Sequence, residues 1–190
     1  MRRLKQLENK LEAGTVYRRA ELEKWSKSVD RHLQALVDKG SLKKLRAGTY
    51  YCPKKSSFGD VPAGAYELVK SFLKDDAFLL TSPNAYNKLG LGTTQLYNKY
   101  CVYNNKRHGE FELGNRKFEF KRKSGFPAEV TEEFLLVDML NNLSKLAENE
   151  EQVKDRAKEK ARKLNEKLLR ELSNSFGKVA TKKFVHAALA

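Results

Sequence analysis

Leu4, Leu7 and Leu11 fall at helical spacing within residues 1–13, and Gly14 follows as a stop. Val16-Tyr17 reads as a short extended piece. Ala20, Leu22 and Trp25 supply the inward face of a second helix over residues 19–25, and Ser26-Lys27-Ser28 is a polar break after it. Val29, Leu33, Leu36 and Val37 stand at i, i+4, i+7 and i+8, which predicts a third helix running to Lys39. Ser28 is its expected N-cap, since a serine hydroxyl accepts an orphan backbone N–H there, and Gly40 is its expected end. His32, close to the apolar face, is expected to pack. Leu42, Leu45 and Tyr50, set among Lys43, Lys44 and Arg46, predict a hairpin turning at Ala47-Gly48 and closing at Cys52-Pro53.

Lys54 to Gly59 has the composition of a linker. Beyond it, residues 64–74 predict a helix with Tyr66, Val69, Phe72 and Leu73 inward, and Ala77–Leu80 a short buried strand. Pro83 suits the first position of a helix ending at Leu89-Gly90. Tyr100–Tyr103, Gly109–Leu113 and Arg116–Arg122 are strand candidates joined by Asn104-Asn105-Lys106 and Gly114-Asn115. In the last, Phe118 and Phe120 alternate with Lys117, Glu119 and Lys121, the pattern of a half-buried strand. From Thr131, an expected N-cap, the chain reads as helical. One helix is predicted to about Ala147, a second over 150–172 with Val153, Ala157, Leu164, Leu168 and Leu172 on one stripe, and a last from Val179 to Leu189. The expected class is α+β. Residues 1–55 are expected to form a winged helix-turn-helix, and residues 60–190 a mixed region of antiparallel strands and C-terminal helices.

Charge sharpens this picture. The 190 residues hold 38 Lys and Arg against 24 Asp and Glu, a formal net charge of +14. Residues 1–55 carry 15 basic and 6 acidic residues, residues 56–135 carry 11 and 10, and residues 136–190 carry 12 and 8. The excess therefore sits where helix, helix, short turn, helix and basic hairpin follow one another, the order of a winged helix-turn-helix and the footprint expected for a polyanion. In that reading the third helix enters a major groove of double-stranded DNA, with Lys27, Asp30, Arg31 and Gln34 facing outward. Arg and Gln read guanine and adenine bidentately, and Lys43, Lys44 and Arg46 on the hairpin reach the flanking backbone. Trp25 and Tyr17 are expected in the core.

The stretch Leu36-Val37-Asp38-Lys39-Gly40-Ser41-Leu42-Lys43-Lys44-Leu45-Arg46-Ala47-Gly48-Thr49-Tyr50-Tyr51-Cys52-Pro53 resembles the L-x-x-x-G-x-I-x-R-L-x-R-G-x-Y-Y-x-P segment of AbiEi-type antitoxins, from bacterial type IV toxin–antitoxin systems. Ala85-Tyr86-Asn87-Lys88-Leu89-Gly90-Leu91-Gly92-Thr93-Thr94-Gln95 is similar to that family's A-x-x-x-L-G-L-S-T-Q. Ala47 stands where the family has a wing arginine, and Gly92-Thr93 where it has Ser-Thr. The resemblance spans roughly residues 15–140. It implies a repressor of its own operon whose winged helix binds operator repeats, with the rest of the chain needed for antitoxicity. It also implies a nucleotidyltransferase-like toxin as functional partner, opposed often without a stable complex. By this analogy the DNA contacts come from Ser28, Arg31, Gln34, Lys43, Lys44 and Arg46.

Other chemistries are weaker. Glu119-x-Lys121 on a strand is the pair that metal-dependent nucleases use, but alternation on an exposed strand produces the same pair as an ion pair. Gly90-Leu91-Gly92 lacks the remaining glycine and the lysine of a phosphate cradle. Cys52 and Cys101, with His32, His108 and His186, do not make zinc-ligand spacing. No enzyme activity and no cofactor are expected. The basic helix over 150–172 is expected to be a solvated face laced with i,i+4 ion pairs. No apolar run approaches a membrane span, and Met1-Arg2-Arg3-Leu4 lacks a signal peptide's apolar stretch, so no membrane partner and a cytoplasmic location are expected. The competing expectation is a winged-helix adaptor that binds protein.

Overall fold

The computed structural model describes residues 2–91, 93 and 95–190. Gly92 and Thr94, in the second stretch that carries the family resemblance, lie outside the described residues. Helices and antiparallel-rich strands make the chain α+β. Contacts divide it into two units, Met1–Asp76 with Glu112–Arg116, and Ala77–Phe111 with Lys117–Ala190.

In the first unit the order is α1 (Arg2–Glu8), β1 (Val16–Arg18), α2 (Arg19–Glu23), α3 (Val29–Asp38), β2 (Lys43–Arg46) and β3 (Thr49–Tyr51). The strands form one antiparallel sheet in the order β1-β3-β2. Its core is Leu7, Leu22, Val29, Leu33 and Leu36, read on helical faces, with Tyr17 from β1 and Leu42 from just before β2. Gly48 closes the β2–β3 turn at a φ of +70°, where a side chain is strained, and the register shifts between Lys44 and Arg46.

The segment read as a linker is paired. β4 (Lys54–Ser56) and β5 (Gly59–Val61) form a second hairpin, and the Tyr51 hydroxyl donates to the Val61 carbonyl at 2.6 Å. All three β4 residues are exposed, so the hairpin has a linker's composition. α4 (Ala65–Leu73) follows and packs on β1, which carries the first unit beyond the 55–60 boundary drawn from composition. Leu68, Val69, Phe72 and Leu73 are its buried apolar residues, whereas Tyr66, expected inward, is 47% exposed.

The second unit is built on a sheet of β6 (Phe78–Thr81), β7 (Tyr100–Asn104), β9 (Arg116–Arg122) and β8 (Gly109–Leu113), in the order β6-β7-β9-β8. β6 and β7 are antiparallel, but β7 runs parallel to β9. The Asn104-Asn105-Lys106 turn therefore does not lay β8 beside β7. The Asn104 side chain instead accepts from Lys106 N and Arg107 N at 2.9 and 2.6 Å, steering the chain away. Gly114 and Asn115 lie at φ of +54° and +63°, the consecutive positive values a tight hairpin turn needs.

Between β6 and β7 a 3-10 helix runs over Pro83–Leu89. α5 (Glu132–Asn142) is capped by Thr131, whose hydroxyl accepts from Phe134 N, and it continues as 3-10 turns over Leu143–Lys145. Phe134 through Met139 are all buried, because α6 (Glu150–Ala161), α7 (Glu166–Phe176), α8 (Val179–Ala188) and the Pro83–Leu89 helix all pack against α5. The helix predicted over 150–172 is thus two. Asn165 caps α7 by accepting Leu168 N at 3.1 Å, a local signal that the continuous apolar stripe concealed. The expected i,i+4 pairs are present at Glu150–Lys154 and Glu166–Arg170, 3.1 and 2.8 Å. Among the described residues no helix is long and apolar enough to cross a membrane.

Candidate nucleic-acid interface

α3 buries Val29, His32, Leu33 and Leu36, which leaves Asp30, Arg31, Gln34 and Asp38 on the outside. The turn before it is fixed by Ser26 rather than by Ser28, the expected cap. Ser28 occupies the N-cap position, but its side chain makes no capping bond. Ser26, 8% exposed, takes over. Its Oγ accepts from Ser28 N at 3.3 Å and lies 2.7 Å from Nδ1 of buried His32. His32 packs as expected and also ties the turn to the helix. Ser26→Ala is expected to lower stability by about 1–2 kcal/mol, because it strands a buried imidazole nitrogen. Chemical denaturation checks this, and a loss below about 0.5 kcal/mol, the scale of an ordinary surface change, would remove the role assigned to Ser26.

Around this turn Arg3, Lys27 and Arg31 line a cleft of about 480 Å³ with Gln6, Trp25 and Ser28. Trp25, expected in the core, is 40% exposed. It lies just past the end of α2, so only one edge of its ring meets Tyr17, at 6.0 Å and 69°, while the Lys10 ammonium sits 5.6 Å from its face. Tyr17 itself is buried, as expected. Arg3, Lys27 and Arg31 are exposed and have no side-chain partner among the described residues. They stand at the N-terminal end of α3, whose free backbone N–H groups favour an anion.

The other outward groups are engaged. Both Asp30 oxygens accept from the Arg19 guanidinium at 2.7 Å, and this bond holds the Asp30 carboxyl below the usual carboxylate range. Asp30 is thereby neutralised on the face that would meet phosphates. Gln34 donates to Asp38 at 2.8 Å.

On the hairpin, Lys44 is exposed with no partner among the described residues. Lys43 pairs with Asp60 at 2.9 Å. Arg46 lies 4.8 Å over the Phe72 ring and donates to Thr49 at 3.3 Å. Asp60 also takes Lys55 at 2.5 Å, and the lysines together lower its carboxyl, with Lys55 the larger cause. The second hairpin is thereby tied to the first, and it holds Phe58 wholly exposed at its tip. The sequence did carry a signal for it. Lys54-Lys55-Ser56 and Gly59-Asp60-Val61 flank a two-residue turn.

Of the seven predicted contact residues, Lys27, Ser28, Arg31 and Lys44 are therefore presented freely, and Gln34, Lys43 and Arg46 are held by neighbours. The scaffold below them is braced at Glu8, which accepts from Lys39 at 2.7 and 2.8 Å and from Ser41 at 2.6 Å. These bonds, Lys39's first, lower the Glu8 carboxyl below its ordinary value of 4.5. A depressed carboxylate contributes stability above its unfolded value and loses it as pH falls through the folded one. Glu8→Gln is accordingly expected to be less stable than the parent at neutral pH, the gap closing in acid. Denaturation curves at several pH values would contradict the brace if the gap persisted at the lowest.

In the second unit Glu119 and Lys121 face the same way but belong to an ion-pair cluster. The Glu119 carboxylate lies 3.2 Å from Lys99 and 3.9 Å from Lys121, and Lys99 also meets Glu110 at 2.7 Å. Among the described residues no group of three His, Cys, Asp or Glu side chains is placed to hold a metal ion. Cys52 is half-buried and Cys101 buried, both free. Burial pushes the Cys101 thiol up to about 11.

No curated protein matches the sequence. Residues 11–172 match DUF6088, a family of unknown function, and with most of its length matched the chain belongs to that family.

Proposed function

We propose that this protein is a DNA-binding repressor of its own operon and the antitoxin of a type IV toxin–antitoxin pair. α3 enters the major groove, the β2–β3 hairpin lies along the flanking backbone as a wing, and the bound protein blocks the promoter. The observation that carries the reading is the set of unpartnered cations, Arg3, Lys27 and Arg31, gathered at the N-terminal end of α3, with Lys44 on the hairpin. The order α1-β1-α2-α3-β2-β3 with a three-stranded sheet supports a winged helix, and the residues quoted for the AbiEi resemblance support the antitoxin. In this reading a phosphate seats at the start of α3 between Lys27 and Arg31, and Arg31 reaches a guanine edge. The protein acts in the cytoplasm by binding rather than catalysis, needs no cofactor, and opposes a nucleotidyltransferase-like toxin through its second unit.

The test is a gel-shift titration on the DNA upstream of its own reading frame, against a scrambled competitor and across a salt series. Affinity that falls steeply with salt while a specificity ratio over the scramble persists is the expected result. Equal binding to both DNAs, or to neither at moderate salt, would sink the operator reading. The antitoxin half is tested separately by rescue of growth on co-expression with the neighbouring toxin. Phe58, wholly exposed at the tip of the second hairpin, favours a second reading, an adaptor whose winged helix docks on protein. Retained sequence-specific DNA binding by Phe58→Ser would count against that alternative.

A further inference from the structure

The cations of the second unit are left over by the DNA reading, and several of them converge on a cavity. We propose that the second unit binds a nucleotide-sized phosphorylated small molecule in the cleft formed by the end of β9, α5 and the α7–α8 turn. The cleft is about 770 Å³, within the range of small-molecule sites. Lys121, Arg122, Lys123, Lys145 and Lys178 line it, with only Glu119 and Asp138 as carboxylates.

Those carboxylates are already occupied. Glu119 lies 3.2 Å from Lys99, and Asp138 accepts from the Tyr86 hydroxyl at 2.7 Å, from Tyr103 and from the Asn142 amide at 3.0 Å. Arg122, Lys123 and Lys145 are exposed and have no side-chain partner among the described residues. Lys121 is set deeper, its side chain 17% exposed, its ammonium 5.4 Å from the Tyr103 ring and 3.2 Å from the Asn142 side-chain oxygen. Unpaired cations around a concave wall focus a positive field inside it and raise the local concentration of anions. A flat charged face for a macromolecule would not need the cavity.

Aromatic rings share the lining. Phe126 and Phe176 are half-buried on the cleft, and Phe176 is held edge-on to buried Phe134 at 6.2 Å and 85°. Aromatic rings and unpaired cations on one cleft suit a nucleoside phosphate, the base lying on the rings and the phosphates reaching Lys121, Arg122 and Lys145. The supports are stiff. Asn141, at the end of α5, donates to the Phe176 carbonyl at 2.9 Å and accepts from Lys178 N and the Thr181 hydroxyl at 2.8 Å, which fixes the α7–α8 turn.

The experiment is calorimetric titration of the full chain with ATP and GTP, beside adenosine, inorganic tripolyphosphate and an octathymidylate. One of the nucleoside triphosphates is expected to bind, with tripolyphosphate and adenosine each weaker by about tenfold or more. Arg122→Glu/Lys145→Glu, both at exposed positions, should abolish that binding and leave the melting temperature of the free protein unchanged. Phe126→Ala should lower nucleotide affinity towards that of tripolyphosphate, and Arg31→Glu/Lys44→Glu, in the other unit, should not change it. No heat with either nucleotide overturns the proposal, as does binding that survives the double charge reversal. Tripolyphosphate as tight as the nucleotides would assign the cleft to inorganic anions instead. Preference for the octathymidylate would assign it to single-stranded nucleic acid.

Discussion

Under the proposed function, the triple variant Lys27→Ala/Arg31→Ala/Lys44→Ala is expected to bind the DNA upstream of its reading frame about 100-fold or more weakly than the parent at moderate salt, with the slope of log K against log salt reduced by about 1.8, for one phosphate shared by Lys27 and Arg31 and one held by Lys44. Each phosphate neutralised by a cation releases condensed counterions, and the slope counts them at about 0.9 per contact. These three residues are chosen because their charge is not already used. Each is exposed with no partner among the described residues. Lys43, 2.9 Å from Asp60, and Arg46, stacked on Phe72, must first give up a neighbour, so their single alanine variants are expected to lose only a few-fold. Arg31→Ala alone should also relax base preference at one position, by about tenfold, whereas Lys44→Ala should weaken all sequences alike. A salt series on operator and scrambled DNA separates these outcomes. If Lys43→Ala and Arg46→Ala cost more than Lys27→Ala and Lys44→Ala, the interface lies on the other side of the β2–β3 hairpin.

Which parts of this were legible in the sequence follows from the range of the forces involved. The inward face of α3 was legible because Val29, Leu33 and Leu36 repeat at the helix period and nothing nearby competes. The outward face was legible as a set of residues but not as a set of free charges. Asp30 finds Arg19 eleven positions away, Lys43 finds Asp60 seventeen away, and no periodicity encodes such pairs. The same holds for Ser26. Two serines flank the turn, and which one braces it depends on where His32 points after the helix has packed. The second hairpin escaped because its strands are exposed on both faces and so lack alternation. The parallel pairing of β7 with β9 escaped for a related reason. Strand propensity is local, while partner choice depends on what the long connections bring alongside. The cleft of about 770 Å³ in the second unit was invisible throughout. Lys121-Arg122-Lys123 reads as a strand end, Lys145 as a helix tail, and Phe176 falls between two predicted helices; only the folded sheet and helices bring them to one cleft.

Asp138→Leu is the substitution expected to damage the second unit most. Asp138 is 2% exposed in the middle of α5 and takes three donors, the hydroxyls of Tyr86 and Tyr103 and the Asn142 amide. Burial first, and the Asp138 carboxylate with it, pushes both phenols far above their ordinary range, so they stay protonated and donating at any working pH. Leucine keeps the branched shape with somewhat larger methyl ends and removes a buried charge, and the loss of the charge alone would be neutral or favourable. It also strands two buried hydroxyls and part of an amide, at about 1–3 kcal/mol for each group left unpaired. The second effect wins, because the Tyr86 and Tyr103 hydroxyls sit on buried residues, while the half-buried Asn142 amide keeps its bond to the Asp138 carbonyl at 2.7 Å. A loss of about 3–5 kcal/mol corresponds to roughly 6–20 °C in melting temperature for a chain of this size. Asp138→Asn keeps one acceptor and should lose about half as much. Adding Tyr86→Phe/Tyr103→Phe to Asp138→Leu should recover much of the loss, since the stranded donors are then gone. Recovery identifies the hydroxyls as the cause, whereas an unchanged triple variant would mean that α5 needs the charge itself. Under the proposed function, the leucine variant below its melting transition should still bind the upstream DNA through α3, and a failure to rescue growth on co-expression with the neighbouring toxin would then assign antitoxicity to the second unit.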